Sequence, residues 1–144
     1  MSQRIAIIDL GSNTTRLVVY EYEPGYRFHL VEEVREVVRL REGMGNGMAL
    51  RAAAIERAQQ AMRMFASFCR SQGIDEVLMT ATSAVRDARN GDSFLARVRA
   101  ETGWTPRLLS GEEEGYFGAL GALNGVGLRE GLDVATHGET AYRL

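Results

Sequence analysis

The carboxylate of Asp9 stands at the end of an apolar run that begins at Ile5, where a buried strand is expected. Desolvating an ionised carboxylate is costly unless a partner compensates, so this placement indicates a function. The turn that follows is small and polar, with Gly11, Ser12, Asn13 and Thr14. Its backbone N–H groups, hydroxyls and amide are suited to hold phosphate oxygens. An ordinary hairpin, whose polar side chains satisfy the turn amides, accounts for the same residues.

Asp9 cannot hold a phosphate directly, because two anions repel each other. It is therefore expected to act through a divalent cation or an ordered water. Mg²⁺ is the usual ion beside phosphates, so the sequence predicts Mg²⁺ at Asp9 if the turn binds phosphate.

Three consecutive glutamates, ending at Glu114, form a second candidate site after Ser110. Ser110 and Glu113 have the spacing of a capping box, and acidic residues in a first helical turn offset the positive end of the helix dipole. Glu114 lies three residues before Phe117 and leans toward the apolar side of the helix, where partial desolvation suits a general base. A solvated helix start is the alternative interpretation of Glu114.

Arg86 is the third candidate, one helical turn beyond the end of a predicted strand. An arginine can clamp a phosphate through two parallel hydrogen bonds, although a surface ion pair is an equally simple role. Ligands of open sheets with parallel strands gather at the carboxyl ends of the strands. Asp9, Thr82, Ser83 and Glu114 are all expected near that edge, which strengthens the assignment of Arg86.

Short apolar and β-branched runs predict strands, and apolar residues repeated every three or four positions predict helices. Three strands come first, at 4–10, 15–22 and 26–40, the last with one exposed face and a bulge. The later elements are a helix at 51–72, a strand at 76–80, a helix at 92–102, a brief strand in 106–110 and a helix from 112 to 123. The glycine-rich stretch 43–47 is interpreted as a loop, with a mobile lid as the alternative.

This order of elements, β-β-β-α-β-α-β-α, predicts an α/β fold. The sheet should be mixed, with an antiparallel meander of three strands followed by two parallel strands and with flanking helices. That is the order of the ribonuclease-H-like half of an actin-like ATPase fold. A Rossmann domain is disfavoured, because the first glycine turn leads into a strand and not into a helix.

The composition excludes several other classes of function. The 144 residues, 45% of them apolar, suit one compact domain, and the net charge of -2 leaves no basic patch for nucleic acid or for a membrane surface. The single cysteine, Cys69, falls on an apolar helical stripe, as expected for a buried thiol in a reducing compartment. The N-terminal apolar run is too short to span a bilayer, so a cytoplasmic location is expected. His29 and His137 are isolated and lack zinc-site spacing.

Four motifs occur in order along residues 5 to about 129: "AIIDLGSNTTRL", "RLREGMG", "TATSAVRDARN" and "LLSGEEEGYFGALGAL". Together they make the chain resemble the exopolyphosphatase and guanosine pentaphosphate phosphatase family, a branch of the actin, Hsp70 and sugar-kinase superfamily. Members release terminal phosphate from inorganic polyphosphate, or the 5′ phosphate from guanosine pentaphosphate, with a divalent metal and a glutamate that activates water. The resemblance implies the same substrates here, with Mg²⁺ as the cofactor.

Matched residue by residue, the resemblance gives each candidate a role. The catalytic base falls on Glu114, the last glutamate of "GEEEG", and the phosphate-contacting arginine falls on Arg86. The first phosphate loop falls on Asp9, Gly11, Ser12 and Asn13. Residues 1–130 would then form the ribonuclease-H-like domain, without nucleic-acid or membrane partners. A homodimer is allowed by this interpretation.

The C-terminal stretch departs from the family pattern. A second phosphate loop rich in glycine is expected after Asp133 and Val134, but Ala135, Thr136 and His137 stand at the glycine positions. Residues 131–144 are therefore interpreted as an atypical start of a second domain. Two alternatives stay open, a binding or regulatory fragment that does not catalyse and one half of an actin-like kinase.

Overall fold

The computed structural model describes residues 2–25 and 27–126, with side chains as far as residue 119. The chain divides into two compact units, and the second begins at Leu109. The predictions for residues 131–144, including Asp133, Val134, Ala135, Thr136 and His137, lie outside the described residues.

In the described residues, the first unit is built on a five-stranded mixed sheet, which confirms the predicted fold class. The strands are β1 (Gln3–Leu10), β2 (Thr14–Glu23), β3 (Arg27–Val37), β4 (Glu76–Ala81) and β5 (Arg107–Leu108). Their order across the sheet is β3-β2-β1-β4-β5. The first three form the antiparallel meander, while β1, β4 and β5 run parallel to one another. The carboxyl ends of β1 and β4 therefore meet at one edge of the sheet.

Four helices occur in the part of the chain that the structure describes: α1 (Ala52–Ser71), α2 (Ser83–Asp87), α3 (Gly91–Thr102) and α4 (Gly111–Val126). Helix α4 belongs to the second unit. In the first unit, a short 3-10 turn, Gly45–Gly47, precedes α1. Helix α4 runs three residues beyond the predicted end at 123. The glycine at 125 lowers helix propensity but does not forbid helical backbone.

The core of the first unit lies between α1, α3 and one face of the sheet. Ala6, Ile8 and Leu10 alternate along β1 and are fully buried, as the two-residue period of a strand requires. Phe65 of α1 and Phe94 of α3 are among the largest buried side chains of this core. Cys69 is also buried there, and desolvation raises the pKa of its thiol.

One polar side chain is enclosed between α1 and α3. Gln59 is fully buried, and its amide accepts a hydrogen bond from Arg97 at 3.1 Å and donates one to Glu101 at 3.0 Å. Both ends of the amide are therefore satisfied, which removes most of the cost of burying it.

The edge strand β3 differs from its predicted form. The bulge is confirmed, since the register with β2 skips Val31 between the pairs Val19–Glu32 and Tyr20–Leu30. The prediction of only one exposed face is wrong, because nearly every residue of β3 is exposed, including Phe28 at 60% and Leu30 at 50%. As an edge strand, β3 has a partner on one side only among the described residues, and of its apolar side chains only Val34 packs against the core.

Within the described part of the chain, none of the helices combines the length and the apolar character that a membrane span requires.

Candidate functional site

The β1–β2 turn is tightly closed at the edge where the parallel strands end. The Gly11 N–H donates to the carbonyl oxygen of Thr14 at 3.2 Å. A Cβ atom on residue 11 would lie 2.7 Å from that same oxygen, so only glycine allows this approach without a shift of the backbone. The Thr15 hydroxyl donates to the carbonyl oxygen of Asp9 at 3.0 Å and fixes the residue that enters the turn.

The turn is joined to the start of α2, more than seventy residues later in the chain. The hydroxyl oxygens of Ser12 and Ser83 lie in hydrogen-bond contact at 2.8 Å, and the Ala84 N–H donates to the Ser12 hydroxyl at 3.1 Å. Thr82 occupies the cap position of α2 without a side-chain cap of its own. Ser12 therefore satisfies an N-terminal amide of α2 from another part of the chain.

The loop after β3 closes on the same turn. The N–H groups of Val38 and Arg39 both donate to the carbonyl oxygen of Asn13 at 2.9 Å, and the Arg41 N–H donates to that of Ser12 at 3.2 Å. Arg39 adopts a left-handed conformation with φ at 47°, which is unfavourable for a residue with a Cβ atom. The hydrogen bond to Asn13 helps to hold this conformation.

The far end of that loop is anchored by Asn90. Its side-chain amide accepts a hydrogen bond from the Leu50 N–H at 2.8 Å and donates one to the Leu50 carbonyl oxygen at 3.0 Å. The Arg89 N–H donates to Met48 at 2.7 Å. The loop, including the glycine-rich stretch 43–47, is thus tied at one end to the β1–β2 turn and at the other to the connection between α2 and α3.

Arg86 lies on α2, directly after the joint with Ser12. Its backbone N–H donates to Thr82 at 3.0 Å, and its Nε lies 3.8 Å from Oδ1 of Asp87. The guanidinium is partly exposed, so an external anion can reach it. A surface ion pair and a phosphate contact are both compatible with this arrangement, because a guanidinium carries five donors.

Asp9 is half-buried at the carboxyl end of β1, beside Thr80 of the parallel strand β4. No group of three or more metal-binding side chains occurs among residues 2–25 and 27–126. Magnesium is commonly held by one or two carboxylates together with substrate phosphates and waters, so a single carboxylate beside a polar turn fits that mode of binding.

The structure thus brings together the residues of the first unit that the sequence singles out: Asp9, Gly11, Ser12, Asn13, Thr14, Thr82, Ser83 and Arg86. Asp87, Arg41 and Asn90 were not predicted from the sequence. Their contacts span about forty residues or more along the chain, and no local pattern signals such pairs.

Glu114 lies in the second unit, in the first turn of α4. The predicted capping box is present there, since the Ser110 N–H donates to Glu113 at 2.9 Å and the Glu113 N–H donates to the Ser110 hydroxyl at 3.1 Å. The Glu114 N–H donates to the Ser110 carbonyl oxygen at 2.9 Å and continues the helix. The carboxylate of Glu113 therefore serves in the capping box. Glu112 and Glu114 have no part in the capping box.

Replacing Ser12 with alanine is expected to lower the free energy of unfolding by about 1–2 kcal/mol, because the amide of Ala84 loses its acceptor. Urea denaturation followed by circular dichroism measures the change. Ser93→Ala, at an exposed position of α3, is the matched control and should change stability by less than about 0.5 kcal/mol. Equal stability of the Ser12 variant and the control would contradict the capping role.

Comparison with known proteins gives consistent matches. The model of the family described as the Ppx/GppA phosphatase family matches residues 18–135. A protein called exopolyphosphatase 1 from Mycobacterium bovis is 33% identical over 111 residues, which is 77% of this chain and 32% of that protein. Its namesake from Mycobacterium leprae is 32% identical over the same length.

Solved structures agree with this result. A Ppx/GppA family member from Aquifex aeolicus has a TM-score of 0.78 at 26% identity, covering 85% of this chain and 40% of that one. An exopolyphosphatase from Cytophaga hutchinsonii has a TM-score of 0.74 at 27% identity, covering 82% and 38%. The chain therefore spans well under half the length of these relatives.

Proposed function

Because this chain belongs to the Ppx/GppA phosphatase family, we propose that it supplies the N-terminal, ribonuclease-H-like part of a phosphohydrolase. The reaction would release the terminal phosphate of inorganic polyphosphate or the 5′ phosphate of guanosine pentaphosphate. The curated relatives named exopolyphosphatase support the first of these substrates.

The observation that carries the proposal is the joint between Ser12 and Ser83. This contact holds the β1–β2 turn, whose polar groups are exposed or half-exposed, next to α2, which carries Arg86. Both lie at the carboxyl ends of the parallel strands β1 and β4. Ligands of α/β sheets bind at such edges, and a turn rich in N–H and hydroxyl donors beside an arginine is suited to an anion. A terminal phosphate has the charge and the acceptor oxygens that these groups require.

The proposed chemistry assigns one task to each group. Glu114 accepts a proton from the attacking water, and the resulting hydroxide attacks the terminal phosphorus as the bond to the bridging oxygen breaks. Arg86 and the donors of the β1–β2 turn hold the oxygens of the transferred phosphoryl group and stabilise its charge. Asp9 is the residue we propose to hold Mg²⁺ together with phosphate oxygens, and the ion would neutralise charge on the substrate.

A binding or regulatory role is the second candidate for the chain by itself. It is favoured by the location of the candidate phosphate-binding groups, since the β1–β2 turn and the partly exposed Arg86 all belong to the first unit, whereas Glu114 belongs to the second. In this case the chain would bind a phosphate chain without hydrolysing it. The location in the cytoplasm stays a prediction under either candidate.

The 144-residue chain can be assayed directly with long-chain polyphosphate and, separately, with guanosine pentaphosphate, each in the presence of Mg²⁺. Released orthophosphate is measured by a colorimetric assay, and binding is measured by calorimetry on the same samples. Release that EDTA abolishes would support the hydrolase, and binding without release would support the binding fragment. The absence of both would contradict the proposed function in either form.

A further inference from the structure

The carboxylate of Asp87, the last residue of α2, joins two arginines from separate parts of the chain. Its Oδ2 accepts a hydrogen bond from Nη2 of Arg41 at 2.9 Å, and its Oδ1 lies 3.8 Å from Nε of Arg86. Two guanidinium groups therefore share one carboxylate, and the trio has one net positive charge. Such a cluster attracts an anion more than a simple ion pair does.

The backbones of both arginines are tied to the β1–β2 turn and its joint with α2. The Arg41 N–H donates to the carbonyl oxygen of Ser12 at 3.2 Å, and the Arg86 N–H donates to that of Thr82 at 3.0 Å. Ser83, which follows Thr82, is in hydroxyl contact with Ser12. The two arginines thus reach the same small region from the loop after β3 and from α2.

The donors of Arg41 are largely unused, unlike those of its neighbour Arg57. Arg57 donates to two backbone carbonyls and to Glu42. In the part of the chain that the structure describes, the guanidinium of Arg41 contacts only Asp87, and 47% of its side chain is exposed. Because a guanidinium carries five N–H donors, most of those on Arg41 remain available to a ligand.

We propose that Arg41 contacts a second phosphoryl group of the substrate, next to the one that Arg86 holds. This inference rests on the proposed function and adds a residue that distinguishes a phosphoanhydride chain from orthophosphate. Orthophosphate occupies only the Arg86 position, whereas a phosphoanhydride chain reaches both arginines. Both candidate substrates contain such a chain, so Arg41 contributes to either of them.

A purely structural role for Arg41 would be to tie the loop after β3 to α2. The ion pair with Asp87 is largely exposed, and exposed pairs contribute at most about 1 kcal/mol to stability. The two backbone hydrogen bonds from Val38 and Arg39 to Asn13 already anchor this end of the loop. The structural role is therefore small and predicts no change that depends on ligand length.

The test compares the binding of orthophosphate and tripolyphosphate to the 144-residue chain by calorimetry, with Mg²⁺ present. Arg41→Ala is expected to weaken tripolyphosphate binding about tenfold and orthophosphate binding much less, because orthophosphate loses the nearby charge of Arg41 but no direct contact. Arg86→Ala should weaken both ligands. Arg41→Lys keeps the charge without the planar fork and should recover part of the lost affinity.

Arg4→Ala is the matched control. Arg4 is an arginine of similar exposure near the opposite end of β1, and its ion pair among the described residues is with Glu21. Its replacement changes the net charge by the same amount, so it reports the general electrostatic effect on a polyanion. Thermal midpoints of all variants show whether each one is folded.

Each result has a definite consequence. Selective loss of tripolyphosphate affinity in Arg41→Ala, beyond that of Arg4→Ala, supports the proposal. If Arg41→Ala matches Arg4→Ala while Arg86→Ala still weakens both ligands, the role of Arg41 is overturned and the proposed function stands. If the unaltered chain binds neither ligand, the proposed function fails and this inference fails with it.

Discussion

Replacing Glu114 with glutamine is expected to lower the rate of phosphate release by about 10²–10⁴-fold. Glutamine has nearly the same size and keeps an oxygen acceptor, but its amide cannot take a proton from the attacking water. The binding of tripolyphosphate should stay equal or become tighter, because one negative charge is removed from a protein that binds a polyanion. Steady-state release of orthophosphate and calorimetric binding measure the two effects separately.

Glu112→Gln is the matched control, since Glu112 also lies in the first turn of α4 and carries the same charge. It should retain a release rate close to that of the unaltered chain. Glu113 is unsuitable for this purpose, because its carboxylate accepts the N–H of Ser110 in the capping box. Similar release rates in the two variants, whether both are high or both are low, would remove Glu114 from the role of base.

Replacing Gly91 with alanine is expected to destabilise the first unit by about 3 kcal/mol. A Cβ atom at residue 91 would lie 2.1 Å from the carbonyl oxygen of Val85, far inside any van der Waals contact. The neighbouring atom belongs to the backbone of α2, so no flexible side chain can move aside. Helices α2 and α3 would have to separate, and this would displace Arg86 as well. The midpoint of urea denaturation and the thermal midpoint both report the loss.

Gly118→Ala serves as the control for a glycine within a helix. Apart from its own helical turn, no atom of the described residues lies within 4 Å of the position that its Cβ would take, and alanine favours helical backbone more than glycine does. This variant should therefore be as stable as the unaltered chain or slightly more so. A Gly91→Ala variant that equals Gly118→Ala in stability would show that α2 and α3 do not pack as closely as described.

The fold was predictable from the sequence because its strands and helices carry strong local patterns. The alternation in β1 and the three-and-four spacing in α1 produce the observed buried faces, and the order of elements limits the sheet to few topologies. The convergence of Asp9 with Thr82 and Ser83 followed from topology, since parallel strands bring their carboxyl ends to one edge. The expected position of Glu114 near the same edge stays a prediction.

The details that could not be predicted depend on contacts between distant parts of the chain. A glutamine on a helix, such as Gln59, is expected to be exposed to solvent. Its burial results from the packing of α3 against α1, which the local sequence does not indicate. The exposure of β3 depends on its place at the edge of the sheet, which the local pattern of residues does not encode. The same holds for Ser12, whose hydroxyl serves a helix that begins at Ser83.

The loop after β3 is held at both ends, and this determines where its length can change. At one end, the carbonyl oxygen of Asn13 accepts two backbone hydrogen bonds from the loop. At the other end, the side-chain amide of Asn90 bonds both the N–H and the carbonyl oxygen of Leu50. Closing a loop between fixed ends costs little more when residues are added, about 0.6 kcal/mol for each doubling of its length. Insertions in the exposed stretch 45–48, which follows the buried Met44, can therefore be accommodated while the sheet edge keeps its geometry. Arg41 lies outside that stretch and is bonded to Ser12 and Asp87, so the residue proposed to contact a second phosphoryl group keeps its position when the length of the loop changes.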